Sequence, residues 1–355
     1  MTAYRNILVR APNWMGDAVM AIPTLSALRA RFPAARVTLL AKPPVAALFE
    51  QHPDVDQIIV YERPGRHAGG VGLWRLIQLL RTKQFDLALL LQNAFEAAFI
   101  AAVAGIPTRV GYTTDGRRFL LTKSLKPDTH TGTHQVTRYL ALLQRLEGVA
   151  GSIQEGMPYL VVTAGEHGDA GDLLESEGVA PGERLIGFHA GAAYGSAKRW
   201  PPDRFAAVAD ALVARFQIRP LLFGSAEDVS VVDKMRSGMK YPAIMLAGKT
   251  TVRQMMALIA RCQMVVTNDS GPMHVAAALG LPVLALFGPT HPEATLPKGA
   301  LSRIVYHKVA CAPCTHRVCP IDHRCMAGIS VEEVVESAGR LLESSGSLHG
   351  ESKKC

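Results

Sequence analysis

The chain has 355 residues, enough for two domains that each bury a core, and its 48% hydrophobic and 19% charged content excludes a disordered chain. No uninterrupted apolar run reaches the ~18 residues of a membrane span, and the opening MTAYRNILVR shows no signal-peptide pattern, so a cytoplasmic protein is expected. The 38 Lys and Arg against 30 Asp and Glu leave a formal charge of +8, which favours an anionic partner.

Strand and helix signals alternate along the whole length, the pattern of parallel α/β architecture. In the first half, NILVR (6–10), RVTLLA (36–41), QIIVY (57–61), DLALLLQ (86–92) and TRVGY (108–112) read as strands. Helical spacing covers 17–32, 73–85, 95–105 and 134–148. The stretch 149–180 is rich in Gly, Glu, Ala and Ser and is expected to hold the domain boundary. The pattern then restarts, with a strand running into a loop at 184–192 and again at 219–228, strands at 243–248, 263–269 and 281–288, and helices at 202–216 and 251–262. A helix is expected between the last two strands, another over 330–345, and a loose tail over 346–355. The reading is of two Rossmann-like, doubly wound domains, 1–165 and 166–330, with a cysteine-rich insert at 311–326 and a helix at 331–345 that packs back on the N-terminal domain. Ligands of such sheets bind beyond the carboxyl ends of the strands, which directs attention to an interdomain cleft.

Every polar cluster falls just after a predicted strand. Asn268-Asp269-Ser270-Gly271-Pro272 lies between a strand and a helix, where free N–H groups and the helix dipole favour an anion. A helix cap at Asp269 or Ser270 is the plainer alternative. In GAAYGSAKRWP, Lys198 and Arg199 beside a glycine-rich loop suit phosphate neutralisation, although the spacing is that of neither a Walker A loop nor a G-x-G-x-x-G fingerprint. In WMGDAVM, Asp17 at a strand's carboxyl end is either a general base or an ordinary N-cap. In GSAED, an acid can meet ribose hydroxyls or simply line an exposed turn. Cys311, Cys314, Cys319 and Cys325 place four thiols in fifteen positions, which suits a structural zinc clip or four free thiols. Disulfides are not expected in a reducing compartment.

Taken together, GAAYGSAKRWP, VTNDSGPMHVAAALGLPVLALFGPT, AGIPTRVGY and WMGDAVMAIPTL resemble the ADP-heptose:lipopolysaccharide heptosyltransferases of glycosyltransferase family 9, and among them the enzymes adding the second inner-core heptose. The resemblance runs from the first strand to about residue 290. It implies a GT-B fold, an N-terminal domain for the lipopolysaccharide acceptor and a C-terminal domain for ADP-heptose. It assigns Asp17 as general base and Lys198 to the leaving diphosphate. Asp269, Ser270 and Gly271 meet heptose hydroxyls and diphosphate, Asp228 the ribose, and Thr250 the adenine pocket. Arg109, Arg117 and Arg118 are expected acceptor contacts. No cofactor is required by this chemistry, and contact with an anionic inner membrane surface is expected. A transferase for the first heptose, or one of the same fold using another nucleotide sugar, is the alternative. A zinc-bearing nucleic-acid binder finds neither a recognition-helix motif nor an aromatic-basic array, so no nucleic-acid partner is expected.

Overall fold

A computed structural model of the chain describes residues 4–128, 132–146, 155–314 and 316–351, with 345–351 described by backbone only. The chain divides into two compact units, 1–160 and 161–355.

Unit 1 carries β1 (Asn6–Arg10), β2 (Arg36–Ala41), β3 (Gln57–Val60), β4 (Leu87–Leu90), β5 (Thr108–Tyr112) and β6 (Lys123–Leu125). Its helices are α1 (Met15–Met20), α2 (Ile22–Arg31), α3 (Pro43–Leu48), α4 (Gly69–Thr82), α5 (Phe95–Val103) and α6 (Gln135–Leu143). Every strand pair is parallel, in the order β3-β2-β1-β4-β5-β6. In the central register Ile7 lies beside both Val37 and Leu87. Strands covered on both faces need continuous apolar runs, and β4 (LALL) is buried at all four positions. On one face of this sheet, Leu76, Ile77 and Leu80 of α4 and Ala98, Ile100 and Ala101 of α5 close over Leu8, Leu40, Ala88 and Leu90.

Unit 2 repeats the plan. It holds β7 (Arg184–His189), β8 (Ile218–Leu222), β9 (Ile244–Met245), β10 (Met264–Asn268), β11 (Val283–Phe287) and β12 (Ser302–Tyr306). The helices are α7 (Ala164–Ser176), α8 (Pro202–Phe216), α9 (Val229–Ser237), α10 (Val252–Ile259), α11 (Gly271–Ala278), α12 (Pro292–Thr295), α13 (Arg324–Ala327) and α14 (Val331–Glu351). The sheet order β12-β11-β10-β7-β8-β9 is again parallel, with β7 taking the place of β1. Each order reverses beside its first strand, so the switch points lie between β1 and β4 and between β7 and β10. Two Rossmann-like units in succession are the organisation of a GT-B fold.

Three expectations change. The glycine-bearing segment 164–176 is helix, not linker: Thr163 and Glu166 form a reciprocal capping box, and α7 packs on α10. The C-terminal helix packs on α8 and β11 of unit 2, where Val334, Ala338, Leu341 and Leu342 are buried, rather than on the N-terminal domain as its sequence reading had it. It also continues to Glu351, through most of the expected tail; 352–355 lie outside the described residues. Among the described residues no helix is long and apolar enough to cross a membrane.

Candidate active site

The polar knot 268–272 sits where β10 ends, beside the end of β7 at the switch point of unit 2. Ser270 is the N-cap of α11 by backbone position, yet its side chain makes no capping bond. Its hydroxyl instead stands 3.2 Å from Thr267 Oγ1 and 3.2 Å from His189 Nδ1. Asn268 is fully buried and ties three segments together. Its amide donates to the carbonyls of Ala190 (2.8 Å) and Gly191 (3.2 Å), and its oxygen accepts from the Trp200 N–H (3.0 Å). A buried amide satisfied on both ends fixes the loop after β7 against the end of β10.

Asp269 is 5% exposed, and its Oδ2 accepts from Lys198 Nζ (2.6 Å) and Thr290 Oγ1 (2.6 Å). The Lys198 ammonium also lies 5.3 Å above the Tyr194 ring, whose centroid is likewise 5.3 Å from the Arg317 guanidinium. A primary ammonium is thus held at the strand ends by one carboxylate and one π-face, both in a partly desolvated setting where charge interactions strengthen.

Asp228 is buried, and its oxygens face inward. Oδ2 accepts from the Ser225 N–H (3.1 Å) and hydroxyl (2.8 Å), Oδ1 is 3.3 Å from Arg199 Nη2, and His189 Nε2 lies 3.8 Å from Oδ2. A Cβ at Gly191 would stand 2.3 Å from the Asp228 carboxyl carbon, so this close approach requires glycine. Asp228 thus braces the turn from within, and the neighbouring Glu227 is the carboxylate that faces solvent. Burial pushes the His189 imidazole below its ordinary value against the opposing pull of Asp228. Thr250 lies just before α10, on a loop joined to the 224–228 turn by the Gly248 N–H to Gly224 carbonyl bond (3.0 Å).

The cysteine-rich insert buttresses these loops. The Arg317 carbonyl accepts from the Ala197 N–H (3.0 Å), His323 Nε2 lies 2.6 Å from the Ala197 carbonyl, and the Cys314 N–H donates to Pro289 (2.6 Å). Both flanks of the Lys198–Asp269–Thr290 cluster are therefore pinned by it. Cys311, Cys314, Cys319 and Cys325 are not joined in disulfides. Among the described residues no three His, Cys, Asp or Glu side chains form a group able to hold a metal ion.

In unit 1, Asp17 is the third residue of α1, just beyond the carboxyl end of the central strand β1. The N-cap is Trp14, which removes the capping alternative for Asp17. Its charge reaches the fully buried Tyr139 of α6, whose hydroxyl burial first and Asp17 second push well above its ordinary value.

The sequence compares closely with known proteins. The model of glycosyltransferase family 9 (heptosyltransferase) matches residues 73–324. The chain is 35% identical over 309 residues to lipooligosaccharide heptosyltransferase 2 of Haemophilus influenzae, covering 84% of this chain and 88% of that one. It is 34% identical over 356 residues to lipopolysaccharide heptosyltransferase 2 of Salmonella typhimurium, covering 96% and 99%. The chain belongs to glycosyltransferase family 9, the heptosyltransferases. The solved structure of E. coli ADP-heptose lps heptosyltransferase II matches it with a TM-score of 0.81 at 31% identity, over 96% of this chain and 99% of that one.

Within this heptosyltransferase-family chain, the acceptor arginines separate. Arg117 is fully buried and donates to the carbonyls of Tyr112 (2.9 Å), Gln92 (2.6 Å) and Ala94 (3.1 Å) and to Asn93 Oδ1 (3.0 Å). Burial lowers it to about 10, still charged at neutral pH. Arg109 is bound to the carbonyls of Leu120 (2.7 Å) and Ile106. Both guanidiniums clamp backbone carbonyls; Arg109 is half-buried and Arg118 is exposed. Sequence reasoning missed Tyr194, Thr290 and Arg317, which contact Lys198, Asp269 and Tyr194 respectively. Tyr194 and Thr290 lie inside or beside quoted motifs, but nothing in a linear pattern says which side chain meets the ammonium.

Proposed function

We propose that this chain transfers heptose from ADP-heptose to the heptose of the lipopolysaccharide inner core, adding the second heptose. The observation that carries the reading is the Lys198–Asp269–Thr290 cluster at a Rossmann switch point, in a chain about a third identical to heptosyltransferases 2 over nearly its whole length. Unit 2 takes the donor: Ser270 and the N-terminus of α11 meet the diphosphate with Lys198, and Asp269 meets sugar hydroxyls. The loops after β8 and β9, where Thr250 lies, take the adenosine half.

Asp17 serves as the base of unit 1. It removes the proton from an acceptor hydroxyl while that oxygen bonds to the anomeric carbon and the bond from that carbon to the diphosphate oxygen breaks. One displacement inverts the configuration, and ADP departs carrying the electron pair. Charge building on the diphosphate is met by a preformed ammonium, which needs no reorganisation at the moment of reaction. The lipid-linked acceptor places the reaction at an anionic membrane surface.

The test supplies ADP-heptose with lipopolysaccharide cores that end either before or after the first heptose, and weighs the products. The core with one heptose gains another. Transfer confined to the heptose-free core would reassign the chain to the first addition, and no transfer to either would remove the reading.

A further inference from the structure

The stretch 63–85 contains Arg63, Arg66, Arg75, Arg81 and Lys83 and no Asp or Glu. It folds as the loop after β3 and as α4. One face of α4 is conventional: Gly72, Leu76, Ile77 and Leu80 are buried against the sheet. The opposite face should be polar in a helix that ends in water, yet it exposes Val71 (68%), Trp74 (49%) and Leu79 (41%). Arg75 is exposed among them, and the Arg81 guanidinium lies 5.2 Å above the Trp74 ring.

Two contacts join α4 to α5. Arg81 donates from Nε and Nη2 to the Val103 carbonyl (3.1 and 2.8 Å) at the C-terminal ends of the helices, and Arg63 of the loop before α4 pairs with Glu96 at the start of α5. Phe95 of α5 stacks near Phe99 (centroids 6.2 Å apart) and near Phe119 (6.1 Å), which is 75% exposed on the turn after β5. The carboxylates around this surface are already engaged. Glu96 accepts from Tyr61 and pairs with Arg63, Glu62 pairs with Arg66, Asp115 accepts from the Phe95 N–H, and Asp86 accepts from the N–H groups of Arg5 and Asn6. Arg75, Arg81 and Arg118 form no ion pair among the described residues.

We propose that this face of α4, α5 and the 117–120 turn docks unit 1 on an anionic phospholipid bilayer, a proposal that rests on the reading of a lipid-linked acceptor and names the surface that meets the lipid. Aliphatic and aromatic side chains interleaved with unmatched arginines are the composition that lies in a bilayer interface: rings and methyls enter the acyl boundary and guanidiniums meet phosphates. A nucleic acid would satisfy the charges but give Val71 and Leu79 nothing to bury against. Val71, Trp74, Phe95 and Phe119 all stand at the carboxyl end of the strands of unit 1, the end that also carries Asp17. Docking there holds the base near the headgroup layer.

The test is flotation of the full chain with phosphatidylglycerol-containing vesicles and with pure phosphatidylcholine vesicles, without donor or acceptor. The chain floats with the anionic vesicles, and less so at high salt. Trp74→Ser with Phe119→Ser, and separately Arg75→Glu, reduce the bound fraction at least ~10-fold, while melting temperatures confirm that the variants fold. Both variants retain transfer to a delipidated, water-soluble core and lose it on vesicle-embedded acceptor. Equal flotation with both vesicle types, no flotation, or variants that float like the parent would each overturn the proposal. Flotation without any heptose transfer would instead count against the transferase reading and leave the docking face standing.

Discussion

Lys198 illustrates how a single residue can be both legible and incomplete in the sequence. A lysine beside a small-residue loop after a strand already points to an anion, and the structure puts its ammonium 2.6 Å from Asp269, also part of a sequence motif. What the sequence lacked was the distance information that brings Thr290 and Tyr194 to the same cluster. Asp228 shows another feature that no linear pattern carries: Ser225 and Arg199 hold its carboxylate, and Gly191 lets the backbone close over it. Replacing Lys198 with Ala should lower kcat by about 10²-fold or more while the chain stays folded, since the charge acts on the departing diphosphate. A kcat unchanged in steady-state ADP release would remove Lys198 from that role. Gly191→Ala should destabilise unit 2 by about 1–3 kcal/mol, read as a lower urea midpoint, because the new methyl overlaps the Asp228 carboxylate.

At the scale of elements, the central strands were readable because parallel strands buried on both faces must be apolar throughout. Two of the four edge strands, β6 and β12, were not. Lys123–Leu125 is half-buried at every position, and Ser302–Tyr306 has one fully buried residue, so neither carries a strong apolar run. Helix α7 escaped because its glycines at 165, 168 and 171 look like a linker, and its stability comes from contacts that propensity does not report. Glu166 is the centre of those contacts. It caps α7 through Thr163 and accepts from Arg253 Nε (2.6 Å) and Nη2 (2.5 Å) of α10. The Arg253 hydrogen bonds hold its carboxyl at about 2, below the ordinary 4.5. A depressed carboxylate stabilises the fold above its unfolded value, and that contribution fades as pH falls from about 4.5 towards 2. Glu166→Gln should therefore melt below the parent at neutral pH, with the gap closing across that window. A gap independent of pH would contradict the assignment.

At the scale of the molecule, two domains, their parallel sheets and their family were all visible in the chain, because a doubly wound unit repeats strand and helix signals in a fixed order. The unit boundary falls after residue 160, inside the stretch 149–180 that the composition marked. The seat of the C-terminal helix was not visible, since it depends on which buried face Val334, Ala338, Leu341 and Leu342 meet. The insert's contacts with the loops after β7 and β11 are made by Arg317, His323 and the backbone of Cys314, which the cysteine spacing does not announce. Transfer as proposed needs both a donor site in unit 2 and a base in unit 1. Mass analysis of a one-heptose lipopolysaccharide core incubated with ADP-heptose and either the parent chain or Asp17→Asn tests both together. The parent should add one heptose and the variant should add it at least ~10²-fold more slowly, at unchanged ADP-heptose binding. No gain with the parent, or equal rates for the two proteins, would contradict the proposed transfer.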